Sequence, residues 1–216
     1  MNRSCLRFGL SLFAALPLSL FGADARDLFP DQPRGLGEHY TAWKFSYIAE
    51  GFANLSGGRE RGAVYDGYLK LGFGVNLEKV LGWENTFFYA NVLYPQGESL
   101  SQKYVGDLNT VSNIDAYDSL RLFKCWVQRN FADDRASLRL GIMAVDKDFF
   151  VSDGASLFLN SAFGAFSVIA QDTTAAVYPV SAPGVRTIEK PTDALIFRAA
   201  LFTGTVGTPQ NNPRGR

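Results

Sequence analysis

The stretch Ala63-Val-Tyr-Asp-Gly-Tyr-Leu-Lys-Leu-Gly-Phe-Gly-Val75 decides the fold. Every second residue (Ala63, Tyr65, Gly67, Leu69, Leu71, Phe73, Val75) is apolar or glycine, while the interleaved set includes Asp66, Tyr68, Lys70, Gly72 and Gly74. Period two over so long a run predicts a β-strand with two unlike faces. Strands in soluble sheets are typically about five or six residues long, whereas a tilted strand crossing a bilayer needs about nine to eleven. This run has membrane length.

Working outward, similar runs occur at Trp43–Asn54, Thr86–Tyr94, Leu120–Phe131, Ala136–Val145, Gly184–Glu189 and Ala194–Thr203; most reach the length of a span, and Gly184–Glu189 falls short. In the fifth run Leu138, Leu140, Ile142 and Ala144 oppose Ser137, Arg139, Gly141 and Met143; in the seventh, Leu195, Phe197, Ala199 and Leu201 oppose a side carrying Arg198. Apolar sides are expected to meet lipid, and charged sides a watery interior. The fourth run mixes the two, because Arg121 and Arg129 bracket Phe123, Cys125 and Val127 while Lys124 shares its side with Leu122 and Trp126. Lys124 is assigned to the interior.

The connections alternate as well. Compact turns are expected at Asn76–Asn85, Ala132–Arg135 and Lys190–Asp193, and on the other side Ser56–Arg61 is followed by the long Pro95–Ser119 and the longer Asp146–Pro183. Short periplasmic turns and long outer loops characterise outer-membrane barrels, and loops above about fifteen residues are uncommon in compact soluble domains. The fold class is therefore all-β, an antiparallel transmembrane β-barrel of the outer-membrane porin type. About seven strands do not close, since an edge facing lipid would leave its backbone groups unsatisfied. The expectation is the N-terminal part of a longer barrel, needing a missing C-terminal half or a complementary chain.

Residues 1–25 read as a signal peptide: Arg3 and Arg7 precede the apolar stretch Phe8–Phe21, and Ala23-Asp24-Ala25 has the small-x-small form of a cleavage site. Residues 26–42 form a flexible lead and 43–216 the barrel portion, placed in the bacterial outer membrane. Of the two cysteines, Cys5 falls in the leader, so Cys125 is left unpaired and no disulfide framework exists. Lys+Arg 21 against Asp+Glu 21 gives no electrostatic case for a nucleic-acid partner.

Several blocks in order, Leu77-Glu-Lys-Val-Leu-Gly-Trp83, Tyr104-Val-Gly-Asp-Leu-Asn-Thr-Val-Ser-Asn-Ile-Asp115, Phe149-Phe-Val-Ser-Asp153, Leu157-Phe-Leu-Asn-Ser-Ala-Phe-Gly164 and Tyr178-Pro-Val-Ser-Ala-Pro-Gly-Val-Arg186, resemble the carbohydrate-selective porins of the OprB family. The resemblance runs from about Trp43 to Gly204. It implies a monomeric barrel of roughly sixteen strands that passes glucose and other sugars across the outer membrane by diffusion, built from a chain about twice this length. Lys124 and Cys125 stand where the family pattern leads one to expect an acidic and an aliphatic residue.

A sugar is neutral and covered with hydroxyls, so its path needs hydrogen-bonding groups and flat apolar faces with little net charge. The lumen candidates are Asp66, Tyr68, Lys70, Lys124, Arg139, Arg186 and Arg198, with Tyr89 and Asn91 if the polar side of their strand faces inward. Arginine forks can bind vicinal hydroxyls in pairs. The loop Asp146–Pro183 is expected to fold inward and set the constriction, with Phe149-Phe150, Leu157-Phe158-Leu159 and Phe163-Gly164 against the wall and Asp146, Asp148, Asp153 and Asn160 toward the pore. Turn capping is the structural alternative for those polar residues. The partners implied are sugars as transported solutes and outer-membrane lipid.

An enzyme is not expected: the single histidine, His39, precedes the first run, and Asp133-Asp134 reads as a turn. The spacing of Asp146, Asp148 and Asp153 lacks the closing glutamate of a calcium loop, so neither a metal nor a cofactor is implied. The competing reading from another class is a non-conducting outer-membrane receptor or adhesin that uses the long loops, or a truncated fragment without function.

Overall fold

The alternation becomes one antiparallel sheet of eight strands: β1 (Leu10–Ala15), β2 (Thr41–Asn54), β3 (Gly62–Asn76), β4 (Thr86–Gly97), β5 (Arg121–Phe131), β6 (Ala136–Met143), β7 (Ala182–Thr192) and β8 (Leu195–Thr203). Their spatial order is β1-β8-β7-β6-β5-β4-β3-β2. In this computed structural model the described residues are 38–152, 154–165, 169, 175–204 and 206, with the backbone of 10–15. Among them the sheet is open, with β1 and β2 at its edges. Neighbours in sequence are neighbours in space throughout β2–β8, the up-and-down arrangement that short turns produce.

One boundary differs from expectation, and one strand lies where none was expected. The run at Gly184–Glu189 is not short: β7 spans 11 residues. Pro183 and Pro191 suggested breaks, yet Pro183 pairs with Ile142 near the start of the strand, and Pro191 falls where the ladder to β8 shifts register between Glu189 and Thr192. Both are positions where a sheet tolerates proline. Second, β1 lies inside the stretch read as a leader and pairs with β8 from Leu10↔Thr203 to Ala15↔Arg198. It supplies partners to backbone groups that β8 would otherwise leave at an edge.

The inner and outer faces follow the alternation. In β6 Ser137, Arg139 and Met143 are buried while Leu138 and Leu140 are exposed. In β3 Asp66 is buried and Tyr65 and Leu71 are exposed. The mixed fourth run resolves through a bulge: Asn91 pairs with Lys124 but Val92 pairs with Leu122, so one residue of β5 is extra. Arg121 and Phe123 before it, and Lys124, Trp126 and Gln128 after it, are all buried on the inner side, while Leu122 and Arg129 are exposed. A bulge reverses the phase of the pleat, so Lys124 does not share the side of Leu122.

Inner-face rings lie over glycines of the next strand. A Cβ on Gly72 would come within 2.5 Å of the Tyr89 hydroxyl, one on Gly184 within 2.8 Å of the Phe202 ring, and one on Gly141 within 2.9 Å of the Trp126 Cβ. Gly141 also has φ +137°, which side-chain-bearing residues rarely adopt.

The turns close the opposite end. Between β3 and β4 the connection holds α1 (Leu77–Leu81), whose N-cap Asn76 accepts from the Lys79 amide at 3.2 Å and whose C-cap is Gly82 with φ 74°. Between β5 and β6, Ala132, Asp133 and Asp134 all have left-handed φ. Asn130 Nδ2 ties that turn down by donating to Asp134 Oδ1 at 2.8 Å.

The long loop after β6 folds back over the inner face. It begins with α2 (Asp146–Phe149), and the Val145 amide donates to the Ala176 carbonyl at 2.7 Å. Met143, Val145, Ala176 and Val177 form a buried cluster with Tyr89, Trp126 and Phe202, against which Phe149 and Phe150 pack. The second aromatic group departs from expectation: Leu157, Phe158, Leu159 and Phe163 are exposed and do not pack on the wall. Instead Phe158 stacks on Phe163 at 4.3 Å, and the segment joins the loop after β4 through Asn113 N to Leu159 O (2.7 Å) and Ser161 N to Thr110 O (2.9 Å). Backbone pairing between two loops satisfies polar groups that packing on an apolar wall would bury.

Candidate functional site: the inner wall and the loop against it

Of the charged side chains described on the inner wall, three are the most completely buried. Arg139 on β6 and Arg186 on β7 are register partners and are both 0% exposed, and Lys124 on β5 is 1% exposed. Two guanidinium groups side by side repel unless shared acceptors hold them. Gln128 of β5 is one: its Oε1 accepts from Arg139 Nε at 2.9 Å and from Arg186 Nη2 at 2.9 Å. Arg186 Nη1 also donates to Ser137 Oγ at 3.1 Å. The loop provides the other, Asp148, with Oδ2 lying 3.8 Å from Arg139 Nη1 and 3.6 Å from Arg186 Nε. The guanidinium of Arg139 sits 4.0 Å from the centre of the Trp126 ring, and that ring is 5.4 Å from Tyr89. One carboxylate on the loop therefore bridges two cations on the wall, over an aromatic surface.

The other named residues separate into groups. Arg198 is half-buried on the same face of β8 as Ile196, Ala200 and Phe202. Tyr68 and Lys70 are half-buried on the inner side of β3, and the ring of Tyr68 meets Tyr178 edge-on at 5.8 Å. Tyr89 and Asn91 are both inward and buried. Asp66 is buried opposite Glu50 of β2, three strands from Arg139, or roughly 14 Å at ordinary strand spacing. The inward acidic groups Glu50 and Asp66 thus lie on β2 and β3, together with Lys70, whereas the inward charges of β5–β8 are basic.

Of the loop residues, Asp148 reaches the arginines and Asp146 is buried beside Lys147, its Oδ2 3.3 Å from the ammonium. Asn160 takes the capping role: its Oδ1 accepts from the Ala162 amide at 2.9 Å and its Nδ2 donates to Asn109 O at 3.4 Å. Asp153 lies outside the described residues.

The loop after β4 carries its own polar anchors. Ser112 Oγ donates to Glu50 Oε2 at 2.5 Å, and the Gly97 amide donates to Asp118 Oδ1 at 3.0 Å. Asp115 accepts from Ser99, yet burial first and the neighbouring Asp107 second push its carboxyl above the ordinary range. Burial likewise raises the phenol of Tyr178, which donates to Ile114 O at 2.7 Å. Arg121, buried at the loop end of β5, holds the same region: its Nη1 donates to Pro179 O at 2.8 Å and its guanidinium lies 4.3 Å from the Tyr117 ring.

Sequence reading missed Gln128 and Ser137 as members of the cluster. Both are uncharged, but the alternation that marks Arg139 also marks Ser137, and Gln128 is two residues from Trp126 beyond the bulge. Among the described residues no group of His, Cys, Asp and Glu side chains is arranged to hold a metal ion.

Comparison with known proteins bears on what this wall belongs to. The family described as "Carbohydrate-selective porin, OprB family" matches residues 60–215. Porin B of Pseudomonas aeruginosa is 29% identical over 115 residues, covering 50% of this chain and 25% of that protein. A putative porin, QuiX, of Acinetobacter baylyi is 28% identical over 121 residues, covering 52% of this chain and 27% of its own. Among solved structures, the high-pH form of Pseudomonas putida OprB superimposes with a TM-score of 0.67 at 25% identity, over 80% of this chain and 43% of that one. The low-pH form gives a TM-score of 0.50 at 16% identity. The chain thus spans about a quarter of the curated relatives and less than half of the solved one.

Proposed function

Because the chain belongs to the OprB family of carbohydrate-selective porins, outer-membrane β-barrels that act as channels, we propose that it forms part of the wall and constriction of a passive channel selective for neutral sugars such as glucose. The observation that supports this most directly is Asp148 of the inward-folded loop lying within 4 Å of both Arg139 and Arg186. A loop tied there narrows the bore over a stretch of wall that carries guanidinium donors and the rings of Trp126 and Tyr89, which it covers. Donors and flat faces together suit a polyhydroxylated ring. Fixed charges of both signs impede free ions more than neutral solutes. Movement is down a concentration gradient, and no catalytic step is assigned to any residue.

In this reading the substrate path follows Asp66, Tyr68, Lys70, Lys124, Arg139, Arg186 and Arg198, with Asp146 and Asp148 on the loop side. Crossing lipid also requires further strands along the two open edges, because no unpaired edge persists in hydrocarbon. Liposome swelling tests the reading. Swelling in isosmotic glucose but not in an oligosaccharide too wide for the constriction is the expected result. Absence of swelling in either solute would favour a receptor or adhesin that conducts nothing.

A further inference from the structure

The loops at the outer end are joined in series, and the first joint lies at the open edge, away from the arginine pair. The loop after β2, residues 55–61, lies over a single helical turn in the loop after β4, Ser101–Val105. One carbonyl carries the contact: Tyr104 O accepts from the Arg59 amide at 2.7 Å and from the Glu60 amide at 3.1 Å, which engages both of its lone pairs. Beside it, Arg59 Nη1 donates to Gln102 O at 3.0 Å. Asn54 Nδ2 shapes the first loop for this approach by donating to Glu60 O at 2.7 Å and to Gly57 O at 2.9 Å. The approach leaves no room for side chains. A Cβ on Gly58, where φ is +66°, would lie 2.6 Å from Tyr104 O, and one on Gly62 would lie 2.3 Å from the Tyr104 ring.

The second loop passes this anchorage to the third. The Val111 amide donates to Ser101 Oγ at 2.9 Å, which ties the next stretch of the loop to the helical turn. That stretch bonds the loop after β6 through the Asn113 and Ser161 backbone amides, and through Asn113 Nδ2 to Phe158 O at 3.1 Å. The bond from Ser112 to Glu50 ends on β2 as well. The loop after β6 is therefore tethered in two places: by charge, from Asp148 to Arg139 and Arg186, and by hydrogen bonds, through its neighbour, to the β2 edge. β2 and β6 are four strands apart, roughly 19 Å at ordinary strand spacing, so the two tethers hold the loop like a strap. We propose that Asn54 and Tyr104 are positioning residues for the channel: they hold the constriction loop from a distance, and the calibre of the bore depends on them although neither belongs to the constriction.

The calibre rests on the sugar-channel reading, whereas the tether does not, and two measurements keep them apart. The first is hydrogen exchange of the full chain in detergent micelles, read at the Ser161 amide, which donates to Thr110 O in the neighbouring loop. Asn54→Ala is expected to speed that exchange about tenfold, the scale of one net hydrogen bond, while the Lys190 amide at the opposite end keeps its rate. Gly58→Ala, which drives the first two loops apart and leaves every hydrogen-bonding side chain in place, should act in the same way. Faster exchange confined to residues 55–62 and 101–106, with Ser161 as slow as before, overturns the inference and leaves a local clasp. The second measurement is liposome swelling in a trisaccharide and in glucose. The trisaccharide rate relative to glucose should rise several-fold in both variants, and Asp193→Asn, in the β7–β8 turn, should leave the ratio unchanged. An unmodified ratio in Asn54→Ala and Gly58→Ala, even with faster Ser161 exchange, also overturns the inference, because the tether would then not set the calibre. An unmodified chain that swells in no solute removes the channel reading and the calibre with it, a result distinct from either of these.

Discussion

The two faces of β6 and β7 show inverse chemistry. Outward, Leu138, Leu140 and Val185 are exposed; inward, one residue along each strand, Arg139 and Arg186 are sealed from solvent with Gln128 and Ser137. A water-soluble sheet would have the opposite assignment, since exposed apolar surface and buried charge are the informative departures from the usual distribution. The difference teaches that the medium outside this wall is apolar and that ions inside it persist only because they are mutually compensated.

The strongest test of that contrast removes the compensation. Asp148→Ala removes the loop carboxylate that two buried guanidinium groups share, and breaking a buried pair in this way costs about 3–5 kcal/mol. The expected readout is release of the loop from the wall, seen as rapid tryptic cleavage after Lys147. A loop as resistant as before would mean that packing by Phe149 and Phe150, not charge, holds it. Next in size, Leu140→Arg on the outer face should destabilise the membrane-inserted protein by about 2–4 kcal/mol near the bilayer midplane, measured by denaturant unfolding from vesicles. Its neighbour gives the counterpart. Arg139→Leu, which leaves Asp148 its pairing with Arg186, should cost less stability than Leu140→Arg while sugar and ion permeation change. Comparable damage at 139 and 140 would refute the assignment of faces.

The smallest effect concerns pH at the mouth. Burial raises the Asp115 carboxyl, so the folded loop binds a proton that the unfolded loop releases. The stability tied to that proton is fully present below the ordinary carboxylate value and is lost as pH rises through the raised one. Hydrogen exchange of the loop after β4 should therefore speed up from mildly acidic to neutral pH beyond the intrinsic rate change, and Asp115→Asn should flatten that dependence.

Much of this was legible in the residues themselves. Strict alternation placed β3, β6 and β8 and gave the inner side of Arg139 and Arg198, because period two is a direct consequence of the pleat. β5 was only partly legible: no pattern of apolar residues announces a bulge, so Arg121, Phe123 and Lys124 looked contradictory until the register with β4 was known. Prolines obscured β7, whose ends tolerate them. The meeting of Asp148 with the arginines depends on a loop fold that local periodicity does not encode, although loop length and the Phe149-Phe150 pair signalled a packed segment. Gln128 escaped notice because its role is to accept from two cations at once, which only the assembled wall reveals.

The glycines beneath the inward rings carry a last consequence. With Gly72 and Gly184 giving way, the phenol of Tyr89 and the phenyl of Phe202 can recline against the barrel lining instead of jutting across it. The wall is panelled rather than spiked, so calibre passes to the overlying loop. Alternative outer segments on the same panelled cylinder could then grade solutes of different girth without any change to the staves.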